Sequence, residues 1–187
     1  IQVQQVTGEV SARTSGGNMV FSEINGPLSA ATSGGNISLE KLGGPAEVKT
    51  SGGNIEVKEA KKEVVVKTSG GNLTLTQVEG NLEAATSGGS IDVTDCGGSV
   101  SVKTSGGDIH LKNLPGMVSA KTSGGDIRGA KLKSAVEVAT SGGDIELLNV
   151  QSSVSAATAG GNIQVELKPV AFSATLQVNL RTSAGDI

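Results

Sequence analysis

Thr104-Ser105-Gly106-Gly107-Asp108-Ile109-His110-Leu111 is one statement of a motif that the chain repeats every 18 residues. Thr-Ser-Gly-Gly begins at Thr14, Thr32, Thr50, Thr68, Thr86, Thr104, Thr122 and Thr140. Thr158 opens the variant Thr-Ala-Gly-Gly. Thr182, displaced by six extra residues, opens Thr-Ser-Ala-Gly. A period this strict means that one supersecondary unit is laid down again and again, so the chain reads as a solenoid.

Around the motif the apolar residues show what each unit is. In the coil from Gly98 to Pro115, Val100, Val102 and Thr104 alternate with Ser101 and Lys103. That period of two marks a strand with one buried face. Gly106-Gly107 breaks the strand, because glycine adopts backbone angles that other residues avoid. Ile109 and Leu111 then resume the alternation against His110 and Lys112, and Leu114 adds a third apolar point before Pro115-Gly116 turns the chain. Aligned by the period, like falls on like: Met19, Ile37, Ile55, Leu73, Ile91, Ile109, Ile127, Ile145 and Ile163 form one column. The next inward column, Phe21 to Val165, has a single gap at Gly129.

The expected fold is all-β, a single-domain parallel β-solenoid (β-helix) of about ten 18-residue coils. Each coil should hold two short strands and one tight corner. At about 4.8 Å per coil the rod is roughly 45–50 Å long. Residues 1–163 form the regular coils, and residues 164–187 form an irregular terminal coil with the six-residue insertion, in the same domain. Right-handed winding is favoured, as for most parallel crossovers. Helix is excluded by the absence of three-and-four apolar spacing and by the Gly-Gly break in every coil.

Composition narrows the function. Only 36% of residues are hydrophobic, and Phe21 and Phe172 are the only aromatics, so the core is thin and aliphatic. The net charge is -3 with both signs mixed, and no basic run is interleaved with stacking aromatics, which argues against nucleic acid. No apolar stretch approaches the roughly 18 residues of a membrane span. A start at Ile1 reads as a mature or trimmed product. Cys96, the single cysteine, leaves no intramolecular disulfide to form.

Several residue patterns invite chemistry. The position after Gly-Gly holds Asn18, Asn36, Asn54, Asn72, Ser90, Asp108, Asp126, Asp144 and Asn162. Stacked Asp108, Asp126 and Asp144 suggest a calcium ladder, since carboxylates suit Ca²⁺. Asn fills half the column without charge, so a structural turn is the preferred reading, with Gly52, Gly53, Asn54, Gly106, Gly107 and Asp108 as its type residues. Catalytic, cofactor and metal sites are accordingly assigned to no residue, and no cofactor is expected. The Thr column suggests ice binding, but the alternation turns these side chains inward. Acidic residues scatter over equivalent outward positions such as Glu47, Glu56, Glu83, Glu137 and Glu146 rather than converging as a polysaccharide lyase requires. His110 points outward with no partner signalled, and Cys96 falls in an apolar column as a packed thiol. One outward column carries Ser11, Ser29, Ser101, Ser119 and Ser155, and the column two residues on carries Arg13, Lys49, Lys67, Lys103 and Lys121. That face reads as solvated.

The recurrent T-S-G-G-(N/D)-I coils are followed by I-Q-V-E-L-K-P (163–169) and a returning T-S-A-G-D-I (182–187). This arrangement resembles a bacterial adhesin-like domain-of-unknown-function family of short-coil β-solenoids. The resemblance covers nearly the whole chain and implies a cell-envelope or surface-exposed location. It brings no catalytic residues with it. The combined expectation is a non-enzymatic extracellular or cell-envelope structural β-solenoid, adhesin-like, with a cell-surface or matrix partner. The first alternative is a subunit of a head-to-tail extracellular filament, self-associating through uncapped solenoid ends. An ice-, glycan- or calcium-binding module follows. No nucleic-acid partner and no membrane span are expected.

Overall fold

The computed structural model describes residues 1–168 and 175–187. Phe172 and Pro169, which belong to the irregular terminal stretch, lie outside the described residues.

Strands follow one another in strict alternation of a longer and a shorter element. In chain order they are β1 (Gln2–Val6), β2 (Val10–Thr14), β3 (Met19–Ile24), β4 (Leu28–Thr32), β5 (Ile37–Leu42), β6 (Ala46–Lys49), β7 (Ile55–Ala60), β8 (Val64–Lys67), β9 (Leu73–Val78) and β10 (Leu82–Ala85). They continue as β11 (Ile91–Cys96), β12 (Val100–Lys103), β13 (Ile109–Leu114), β14 (Val118–Lys121), β15 (Ile127–Leu132), β16 (Val136–Ala139), β17 (Ile145–Val150), β18 (Val154–Ala157), β19 (Ile163–Leu167) and β20 (Val178–Arg181). Odd-numbered strands form one ten-stranded sheet and even-numbered strands the other. All pairings are parallel, and up to β18 they keep the register of the repeat, as in Ile91↔Ile109↔Ile127. The fold is therefore the expected all-β solenoid of stacked coils. Among the described residues no helix is long and apolar enough to cross a membrane.

Register decides the core. Because equivalent residues stack, each inward column is a continuous line of aliphatic side chains, and the two sheets meet along those lines. Ile91, Val93 and Cys96 from β11 and Val100 and Val102 from β12 are all buried, as are their counterparts in coils above and below. The Gly129 gap is filled by its neighbours: a Cβ there would lie 2.8 Å from Leu147 Cδ2 and 3.0 Å from Leu132 Cδ1. These leucines occupy the space that the missing side chain leaves, so the narrow core stays close-packed.

Two expectations need correction. Each coil has two corners rather than one, because the chain must reverse after both strands. Glycine angles are also not what makes them. Among the described residues no glycine has a positive φ. The left-handed residue, present in the coils of β1 to β17, is instead polar: Gln5, Glu23, Lys41, Glu59, Gln77, Asp95, Asn113, Lys131 and Asn149, with φ of 55–59°. It sits one residue before the last inward position of the odd strand and places two outward residues in succession, as Thr94 and Asp95 before buried Cys96. This kink turns the third apolar column inward and starts the bend toward the even strand.

The terminal coil absorbs the insertion and keeps the even-sheet columns aligned. Val154 pairs with Val178 and Ala156 with Leu180. The turn bond from Asp186 to Asn162 spans 24 residues where the regular coils span 18. A register shift between Leu147 and Val150 in the pairing of β17 with β19 marks where the irregularity begins.

Candidate functional site

The Thr-Ser-Gly-Gly-(Asn/Asp) corner holds the most repeated polar groups in the molecule, so it is the first place to look for a site. Each Thr ends an even strand or directly follows it, and Thr32 through Thr158 are buried, with 1–7% exposure. A buried hydroxyl needs partners. Each finds two, as Thr104 shows. Thr104 Oγ1 donates to the carbonyl of Gly89 in the preceding coil at 2.8 Å and accepts from the N–H of Gly107 in its own coil. The donor bond recurs at 2.8–3.2 Å from Thr32 to Thr182. The Thr column is a structural ladder inside the rod, and it does not offer the flat exposed threonine face that ice binding requires.

The two glycines of the corner differ. A Cβ on the second one, Gly53 or Gly107, would collide with the backbone of Gly35 or Gly89 one coil below. On the first one, Gly52 or Gly106, it would meet only atoms at 3.5–3.9 Å, ordinary van der Waals contact. Close approach of stacked backbones is thus the reason for the second glycine. The displaced last corner agrees, with Ala184 in the first place and Gly185 in the second.

The Asn/Asp column completes the corner. Asn54 N–H donates to Asn36 Oδ1 at 2.8 Å, and Asn72 N–H donates to Asn54 Oδ1 at 2.8 Å. The side chain serves the next coil's backbone instead of closing a local turn. Asp126 N–H donates to Asp108 Oδ1, and Asp144 N–H to Asp126 Oδ1, both at 2.8 Å. Only an acceptor is required, which is why Asn and Asp interchange. Ser90 also serves, at a longer 3.2 Å. The Asp108, Asp126, Asp144 series therefore has one oxygen per carboxylate engaged in the scaffold, and Asp126 directs its other oxygen to Arg128 at 2.8 Å. Among the described residues no group of three or more His, Cys, Asp and Glu is disposed to hold a metal ion.

His110 does have a partner. Its Nδ1 lies 2.8 Å from Asp92 Oδ1, one coil below in the same column. The column continues to Arg128, whose Nε is 3.7 Å from Glu146 Oε2. The signal was present in the sequence, since residues 18 apart on an outward column must be cross-strand neighbours. All four side chains are about half exposed, so these are screened surface contacts. Cys96 is fully buried, pairs in register with Val78, and has its thiol pKa raised by that burial.

Outward faces carry the remaining charge. On the even sheet, Lys49 meets Glu47 at 2.6 Å, Lys67 meets Glu83 at 2.6 Å and Lys121 meets Glu137 at 2.9 Å. The hydrogen bond from Lys49 lowers the Glu47 pKa, and that to Glu83 raises the Lys67 pKa. The face is thus more organised than a simply solvated one. A shallow groove runs along it where the buried column of Val100 and Val118 is flanked by outward Ser99, Ser101, Met117 and Ser119. A second follows the kinked corner between Glu23, Lys41, Glu59, Lys61, Glu79 and Asp95.

Stacked parallel coils, a Thr ladder at one corner and a left-handed kink near the other define a short-coil β-solenoid scaffold. The chain belongs to the Toastrack DUF4097 family, whose model matches residues 7–187. No curated protein and no solved structure matches it.

Proposed function

We propose that this protein is a non-enzymatic structural rod of the cell envelope or cell surface, adhesin-like in use, which meets its surroundings through its outward strand faces. One observation supports this above others. The repeated polar groups that look most like a site, Thr and Asn/Asp at the Gly-Gly corner, are engaged coil after coil in inter-coil hydrogen bonds. The outward columns, by contrast, carry varied polar and charged side chains at a constant spacing along the rod, as Asp92, His110, Arg128 and Glu146 do. Such a surface suits attachment to an extended or repetitive partner. The family resemblance is what supports the envelope location in this reading. Retention of the labelled protein on isolated bacterial envelopes is the test. Saturable retention is expected, and its absence across envelope preparations sinks the reading.

A second reading is a subunit of a head-to-tail filament. Among the described residues each of β1, β2, β19 and β20 has a neighbouring strand on one side only in the sheet order, which leaves an edge for a second copy to pair with. Electron microscopy of the concentrated protein should then show unbranched fibres, whereas a single monomeric species in sedimentation at every concentration opposes it.

A further inference from the structure

Charge on the even sheet is sorted by column. The outward position just before each Thr holds Arg13, Lys49, Lys67, Lys103, Lys121 and Arg181, and alanine in the other coils. No acidic residue falls there. Six of the chain's 15 basic residues lie in this single column of a protein whose net charge is -3. The outward column two residues earlier holds Glu47, Glu83 and Glu137 and no basic residue.

The arrangement works against stability. Lys49 is in register with Lys67, and Lys103 with Lys121. Like charges directly opposite one another on neighbouring strands are destabilising. Three glutamates relieve Lys49, Lys67 and Lys121 only through exposed ion pairs, which are weak and exchangeable. A local rule broken repeatedly in one column, on one face, is the mark of a functional surface.

We propose that this basic column is a docking track for a linear acidic polysaccharide, carboxylated or sulfated, lying along the rod axis. The proposal rests on the adhesive reading given above. Its charges complement the column. Its hydroxyls face serines on both sides, Ser101 and Ser119 on the strand and Ser105 and Ser123 at the corner, of which all but the half-buried Ser119 are exposed. A sugar residue advances such a polymer by a length close to the coil spacing of about 4.8 Å. A nucleic acid fits less well, because Phe21 is buried in the core and, among the described residues, the face presents no aromatic ring for bases to stack on.

The test is interferometry with immobilised protein and polygalacturonate as probe, with dextran as the uncharged control and oligo-dT as the nucleic acid. Saturable polygalacturonate binding is expected, weakening with salt, with none for dextran and less for oligo-dT. The triple variant Lys67→Ala, Lys103→Ala, Lys121→Ala should bind about ten-fold more weakly. Glu83→Gln with Glu137→Gln frees two lysines and should bind about two- to three-fold more tightly. These side chains are about half exposed or more, so both variants should keep the wild-type far-UV spectrum. Undiminished affinity in the triple variant, no polygalacturonate binding, or oligo-dT binding at least as tight, would overturn the proposal. Equal retention of wild type and triple variant on envelopes sinks the track and leaves the adhesive reading standing. Retention of neither sinks the adhesive reading itself.

Discussion

Both corners of each coil stack backbone on backbone, yet they differ in what they accept. At the Thr corner the second glycine is present in every coil, from Gly17 to Gly185. At the opposite corner the equivalent series, Gly26, Gly44, Gly80, Gly98 and Gly116, is interrupted by Lys62, Ser134 and Ser152. A Cβ would collide with the coil below at either corner, at Gly98 as at Gly89. The difference lies in what holds each backbone in place. The Thr corner is fixed by the Thr hydroxyl, by the Asn/Asp acceptor and by backbone bonds such as Gly88 N–H to Ser69 O at 2.9 Å. The opposite corner depends on fewer bonds, so it can shift to admit a side chain. Ser134 even adds one, donating from Oγ to the Pro115 carbonyl at 2.6 Å. Steric exclusion is absolute only where hydrogen bonds prevent the neighbour from moving.

That contrast can be broken experimentally. Gly89→Ala should have the largest effect, about 3 kcal/mol or more of destabilisation, since overpacking against an immobile backbone has no cheap relief. Thermal unfolding followed by circular dichroism reads it, and a stability within about 1 kcal/mol of wild type would refute the close-approach explanation. Thr104→Val keeps the side-chain shape and leaves Gly89 O and Gly107 N without their partner. A loss of about 1–3 kcal/mol is expected in denaturant titration, and a neutral result would remove the hydroxyl from the explanation. Gly98→Ala tests the adaptable corner. It should cost about 1 kcal/mol, clearly less than Gly89→Ala, and an equal cost would mean that the corners are equally rigid. Gly88→Ala is the smallest, within about 0.5 kcal/mol of wild type, because its Cβ would meet open or ordinary contacts.

Kink and corner also show what could be read in advance. Periodic Thr, Gly and Ile columns imply stacking, and stacking implies which residues are inside, so spacing alone places Ile109, Leu111 and Leu114 in the core, where they lie. The left-handed residue was not legible. Its column mixes Gln, Glu, Lys, Asp and Asn, with no glycine to announce a positive φ. The ion pairs were half legible: their columns were visible, but whether Lys67 reaches down to Glu47 or up to Glu83 depends on side-chain path, and it chooses Glu83.

By itself the sequence determined the solenoid, its coil length, its inward columns and the charge sorting of its faces. A strict period leaves a chain no other way to bury the same side of every repeat. Tertiary structure decided why the glycines are there and where each polar group bonds. Those facts depend on the distance between coils, and that distance exists only once one coil lies on another.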